Sequence, residues 1–139
     1  MSEVSFELEL AKKRVERFKD VSDELMRDHL DAMQCLDCQD ALEKGVHAFE
    51  AIRRADDVLR EAAGEGIPVS EQLIAFVESL YELWLTPCEL VEQWIRELEA
   101  RGYRPDNLDK FREASRQVRR SLAVIASLKA IDSIHTQGF

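Results

Sequence analysis

Cys35 and Cys38 bracket Leu36 and Asp37 in a C-x-x-C pair, a spacing that can hold zinc or run thiol–disulfide chemistry. Glu24, Asp28 and His29 lie just upstream. A metal or ligand site drawn from Glu24, Asp28, His29, Cys35 and Cys38 is therefore the sharpest chemical reading of the chain. A plainer reading competes with it. Structural zinc takes four ligands, usually as two spaced pairs. Here there is one pair, a lone Cys88, and His29, His47 and His135 at spacings that fit no zinc-finger pattern. Redox use of C-x-x-C needs a preceding strand, and this region reads as helix. The expectation is that Cys35 and Cys38 are small semi-apolar residues at a helix corner and that Cys88 is core. His29 falls near the centre of an apolar stripe, where a neutral, hydrogen-bonded imidazole is the ordinary occupant.

Other chemistries fare no better. Carboxylate di-iron bundles need Glu-x-x-His on two helices, and the chain contains no such tetrapeptide. Acid pairs at i, i+3 that could hold magnesium occur at Asp20/Asp23, Asp28/Asp31, Asp37/Asp40 and Glu89/Glu92. In a chain this acidic such pairs arise by chance on solvated helix faces. Asp56 interrupts an apolar run between Phe49, Ile52, Leu59 and Ala63, so it should find a base such as Arg53, Arg60 or one from another helix. Arg116, Arg119 and Arg120 could contact an anion. The formal charge of −9 makes salt bridges to an acidic neighbouring helix the better use of them. No phosphate loop, nucleophile elbow, H-E-x-x-H or EF-hand loop is present. No cofactor is expected.

The elements that would position these residues are helices. Gly and Pro are scarce, and Ala, Leu, Glu, Arg and Lys dominate. Gly64-Glu65-Gly66-Ile67-Pro68 and Arg101-Gly102-Tyr103-Arg104-Pro105-Asp106-Asn107 are the clear stops; Ser70 and Asn107 are the candidate caps that follow them. Between these stops Leu73, Val77, Leu80, Trp84, Cys88, Val91, Ile95 and Leu98 hold one helical phase. That phase survives Pro87, which predicts one kinked helix over about 70–101 in preference to a new start at Thr86. Tyr81, Trp84 and Trp94 fit its inner face and edges. The last helix, about 107–134, buries Leu108, Phe111, Ser115, Val118, Leu122 and Ile125, then turns apolar on several sides, which makes a subunit interface a fair reading of its end.

The first 64 residues are ambiguous. One face runs Val4, Leu8, Ala11, Val15, Phe18, Leu25, His29, Ala32, Met33, Leu36. A second runs Leu42, Gly45, Phe49, Ile52, Leu59, Ala63. A helical step of about 100° carried through 37–40 puts them on opposite sides. Either the chain breaks near Asp37–Asp40, where Asp40-Ala41-Leu42-Glu43 resembles a capping box, or one helix of about 90 Å runs through and needs a dimer. The break is preferred.

The fold class expected is thus all-α: an antiparallel helical bundle of four helices, or three with a very long N-terminal helix, forming one domain over residues 1–139. No segment is apolar enough for a membrane span, and the acid at position 3 with no apolar run after it argues against a signal peptide. An odd count of three cysteines fits a reducing compartment, so the cytoplasm is expected. Nucleic acid is disfavoured by charge. The function expected is non-enzymatic: a protein–protein interaction or self-association module, partnered by a second copy or another helical protein. The alternative is a metal- or ligand-binding bundle using the acids near His29 or the Cys35/Cys38 pair.

Overall fold

A computed structural model describes residues 3–27, 35–66, 70–102 and 104–137, with side chains over 5–25, 39–66, 70–102 and 104–127. Four helices follow one another: α1 (Glu3–Arg27), α2 (Cys35–Gly64), α3 (Glu71–Ala100) and α4 (Leu108–Gln137). There is no strand among the described residues. The all-α bundle expected from periodicity is the fold.

α1 ends at Arg27 and α2 begins at Cys35, so the two helices part before the corner that the sequence placed at Asp37–Asp40. Asp37–Asp40 lie inside α2, which already begins at Cys35. Asp40 is no cap: it is exposed and faces Lys44 one turn on at 4.0 Å. Leu36, placed on the first face, therefore belongs to α2 with the second, and because Glu7 of α1 meets Arg54 and Phe18 meets Gly45 of α2, the two helices fold back on each other and the single helix of about 90 Å is not formed. An acid followed three residues later by Glu is also what an ordinary exposed helix turn looks like, which is why the capping-box pattern misled. Pro87, by contrast, sits inside a continuous α3 and is buried there.

The remaining ends follow local chemistry. Ser70 is extended (φ −71, ψ 149) and its hydroxyl accepts the Leu73 amide at 3.2 Å, capping α3. Gly102 takes φ +86 just past the end of α3, a left-handed turn that a Cβ would oppose. Asn107 precedes α4 at φ 65, and its carbonyl accepts the Phe111 amide at 3.0 Å. Asparagine is one of the few L residues that enters this region at low cost.

Successive helices run antiparallel. Phe18 of α1 meets Gly45 of α2, Trp84 of α3 donates to the Gly45 carbonyl, and Ser115 of α4 reaches Glu92 of α3. α2 and α3 each pack against all three other helices, while α1 and α4 flank them. The core centres on one aromatic from each helix. Phe18 lies 5.5 Å from Trp84, Phe49 6.2 Å and Phe111 5.8 Å, measured between ring centroids. These tilted arrangements suit ring quadrupoles. Gly45 is what lets them converge: a Cβ there would stand 2.7 Å from the Phe111 ring and 3.0 Å from that of Phe18. Its carbonyl accepts the indole N–H of Trp84 at 2.8 Å, so the fully buried indole leaves no donor unpaired.

Candidate functional site

Cys88 is the thiol with a described environment, and it is fully buried on α3. Its Sγ donates to Glu92 Oε1 at 3.5 Å, and the Ser115 hydroxyl donates to the same oxygen at 2.6 Å. Arg119 donates to Glu92 Oε2 at 3.1 Å and stands 3.8 Å from Glu89. Burial pushes the thiol up to about 12, with the Ser115 hydrogen bond opposing and the Glu92 charge adding. A thiol held protonated is neither nucleophile nor metal ligand. The cluster joins α3 to α4 through a shared carboxylate.

The basic helix thus serves the acidic one, as charge distribution suggested, though residue by residue the uses differ. Arg119 bridges to Glu89 and Glu92, and Arg112 bridges to Glu99. Arg116 instead pairs within α4 to Glu113 at 2.7 Å. Arg120 lines a groove described below.

Of the residues of the proposed metal or ligand site, only Glu24 has a described side chain. Glu24 is exposed on α1. Asp28 and His29 lie outside the described residues. Cys35 and Cys38 open α2, with their side chains outside the described set. Among the described residues no three His, Cys, Asp or Glu side chains are placed to share a metal. His47, Asp20, Asp23 and Asp40 are exposed, and Glu92 is committed to Ser115 and Arg119.

What the bundle does present is a groove of about 700 Å³ between α2, α3 and α4. Its origin is local. The buried face of α4 is Leu108, Phe111, Ala114, Ser115 and Val118; from 119 to 127 no α4 residue is buried. α3 stays in the core back to Val77, and α2 as far as Leu59. Where α4 stops covering them, Leu59 and Val77 become the floor, Ile74 stands on the α3 rim and Val124 on the α4 rim. Ile74 is 47% exposed and Val124 53%. Two of the four large hydrophobic residues most exposed on the described surface thus line one groove.

The polar end of the groove is largely self-satisfied. Arg60 grips Asp56 through two of its guanidinium nitrogens, Nη2 to Oδ2 at 3.2 Å and Nε to Oδ1 at 3.3 Å. The Tyr81 hydroxyl points to Asp56 Oδ2 at 3.5 Å. Burial, then the Asp56 charge, pushes the Tyr81 hydroxyl up to about 12, with Arg53 and Arg60 pulling the other way. Asp56 is therefore the ion-paired interruption the sequence suggested, extended by a phenol from α3. Arg53, Arg60 and Arg120 balance Asp56, Glu78 and Glu113, so the groove lining has no net charge in a chain of −9.

Sequence reasoning missed two features. Glu7 is buried at the edge of the α1 stripe, one oxygen 2.9 Å from Arg54 Nε and the other without a partner. It was legible in principle, because positions 7, 11, 15, 18, 22 and 25 share a helical phase and both Glu7 and Ser22 fall in it. The groove left a fainter trace: apolar residues after Leu122 on several sides of α4, read as surplus surface without a location. No protein-family model, curated protein or solved structure matches this chain.

Proposed function

We propose that this chain is a non-enzymatic association module whose docking surface is the groove between α2, α3 and α4. The observation that supports it is the exposure of Val124 and Ile74 beside the buried Leu59 and Val77 in one groove, where α4 past Val118 is at most half-buried through residue 127. Ile74 and Val124 are about half exposed, so a partner that removes them from water gains about half of the roughly 1.5–3 kcal/mol that full burial of such a side chain is worth. A helix laid into the groove would do that with side chains spaced three and four residues apart. The described titratable groups argue for association over catalysis: Cys88 is protonated and sealed, and Asp56 is held by Arg60.

The test is size-exclusion chromatography with light scattering on the untagged chain, alone at tens of micromolar and after mixing into an extract of its source. The expected result is a complex in at least one setting that Val124→Glu removes. A chain that runs as a monomer in both settings refutes the reading.

A further inference from the structure

Away from the groove, we infer that a recess between α1 and α2 binds a short alkyl diamine, a dication with an ammonium at each end of a methylene chain. The recess holds about 600 Å³, a size that suits a small ligand. Glu7 anchors it. The Glu7 side chain is 6% exposed; its Oε1 accepts from Arg54 Nε at 2.9 Å, and its Oε2 is buried with no donor. A buried acceptor left unpaired is costly, and a charged donor is its strongest partner.

Formal charge around the recess cancels, three acids against three arginines, so the sum does not select the ligand. The pairing does. Arg54 is engaged by Glu7, and Arg53 lies close enough to Tyr81 to pull on its hydroxyl. That leaves Arg14 against Glu50, Asp57 and the spare oxygen of Glu7, and Arg14, Glu50 and Asp57 are all exposed with no ion pair among the described residues. The recess is short of donors. The form of the donor follows from spacing. Glu50 and Asp57 stand about 6 and about 4.5 Å along α2 from Arg54, the partner of Glu7. Among the described residues no three acids are placed to share one metal ion. A methylene chain spans what a single ion cannot, and Leu10, Phe49 and Ala51 line the recess to receive it. One ammonium takes Glu7 Oε2, where the exposed arm of Arg54 can yield without unseating the core. The other takes Glu50 or Asp57 at the mouth.

Isothermal titration calorimetry of putrescine, a diamine with four methylenes, into the intact chain tests the proposal. Butylamine, with a single ammonium, is the comparison ligand. Glu7→Gln keeps the side-chain shape and removes the anchoring charge. A double variant, Glu50→Gln with Asp57→Asn, alters only exposed positions, so the test does not depend on Glu7→Gln folding. Glu82→Gln removes an exposed acid of α3 outside the recess. The expected result is one putrescine per chain, bound more tightly than butylamine. It weakens about tenfold or more in Glu7→Gln and in the double variant, and it is unchanged in Glu82→Gln. No binding at millimolar putrescine overturns the proposal. So does uptake of several diamines per chain that falls alike in Glu7→Gln and Glu82→Gln, because an acidic surface gathers cations that way without a site. Butylamine bound as tightly as putrescine overturns the second ammonium, and with it the ligand class.

Discussion

The middle of the bundle and its groove end are built from the same helices, and they differ in how many of them close around the apolar side chains. At the level of Gly45 every helix delivers an aromatic, and Phe18, Trp84 and Phe111 have no exposed surface. At the groove α2 and α3 still present core residues, but along the facing stretch of α4 Leu122 and Ile125 are only half-buried and Val124 is exposed. Apolar content alone does not make the difference. Val118 and Val124 are the same residue on one helix, six positions apart; the first is sealed and the second is 53% exposed. Six positions are about 600° of helix, so the two valines point some 120° apart, enough to move one from the core stripe to the rim. The lesson is that a helix covers its neighbours only as far as its stripe stays in phase with them.

The sharpest way to break that contrast is to attack the sealed centre. Trp84→Ala removes the largest fully buried side chain and the donor to Gly45. The expected loss is about 3–5 kcal/mol, read from urea unfolding. Stability retained within 1 kcal/mol or so of the parent would mean the aromatic cluster is not the core it looks like.

Gly45→Ala should come next and has an instructive sign. Alanine favours a helix interior by about 1 kcal/mol over glycine, so an open site would gain stability. Here the new methyl meets the Phe111 and Phe18 rings at 2.7 and 3.0 Å. Overpacking a closed core costs about 1–3 kcal/mol, so the net change is a loss, visible as a lower urea midpoint. A gain would show that the rings yield and that the centre is looser than the contrast requires.

Much of this was legible before any coordinates. The α3 stripe from Val77 to Leu98 is buried as its spacing required, because a long helix in mid-bundle contacts neighbours on one continuous face. Ser70 and Gly102 marked their helix ends because each satisfies a backbone requirement that few residues meet. The corner between α1 and α2 was misplaced by several residues, since no Gly or Pro occurs before Gly45 to mark it and a phase change bounds a break only loosely. The role of Gly45 was hidden: it entered the sequence reading as one more small position on a face, and only the convergence of rings from other helices gives it meaning. The groove was hidden for a related reason. Periodicity says which residues face inward, not how far along its length a helix keeps a partner.

Two ionisable groups mark the two regions and give a pH test. Cys88, between α3 and α4, is raised from an ordinary 9.0 to about 12. Tyr81, on the groove lining, is raised from 10.0 to about 12. In both cases burial is the main cause, and the folded state holds a proton that the unfolded chain releases. Stability from these groups is complete below their unfolded values and is lost as pH rises through the window up to about 12. Urea midpoints should therefore fall with pH through that alkaline range, and Tyr81→Phe should flatten the part of the fall above 10.0. A midpoint that stays level to the top of the window would contradict the burial of both. At neutral pH the same burial should keep the Cys88 peptide unlabelled by iodoacetamide in the native protein and fully labelled in urea, by mass spectrometry.

The smallest expected effect is the most specific to the groove, because it compares like with like. Val118→Ala removes methyl groups from a sealed site and should cost about 2 kcal/mol. Val124→Ala removes the same atoms from a side chain already half in water, and in the monomer it should change stability by no more than about 0.5 kcal/mol. The pair must be measured dilute, because a dimer seated on the groove would add a concentration-dependent term to Val124 alone. If the two substitutions cost the same at low concentration, α4 covers the groove in solution and the open end is closed. If the cost at Val124 is negligible when dilute and grows with protein concentration, the valine is held in place by association, not by its own fold.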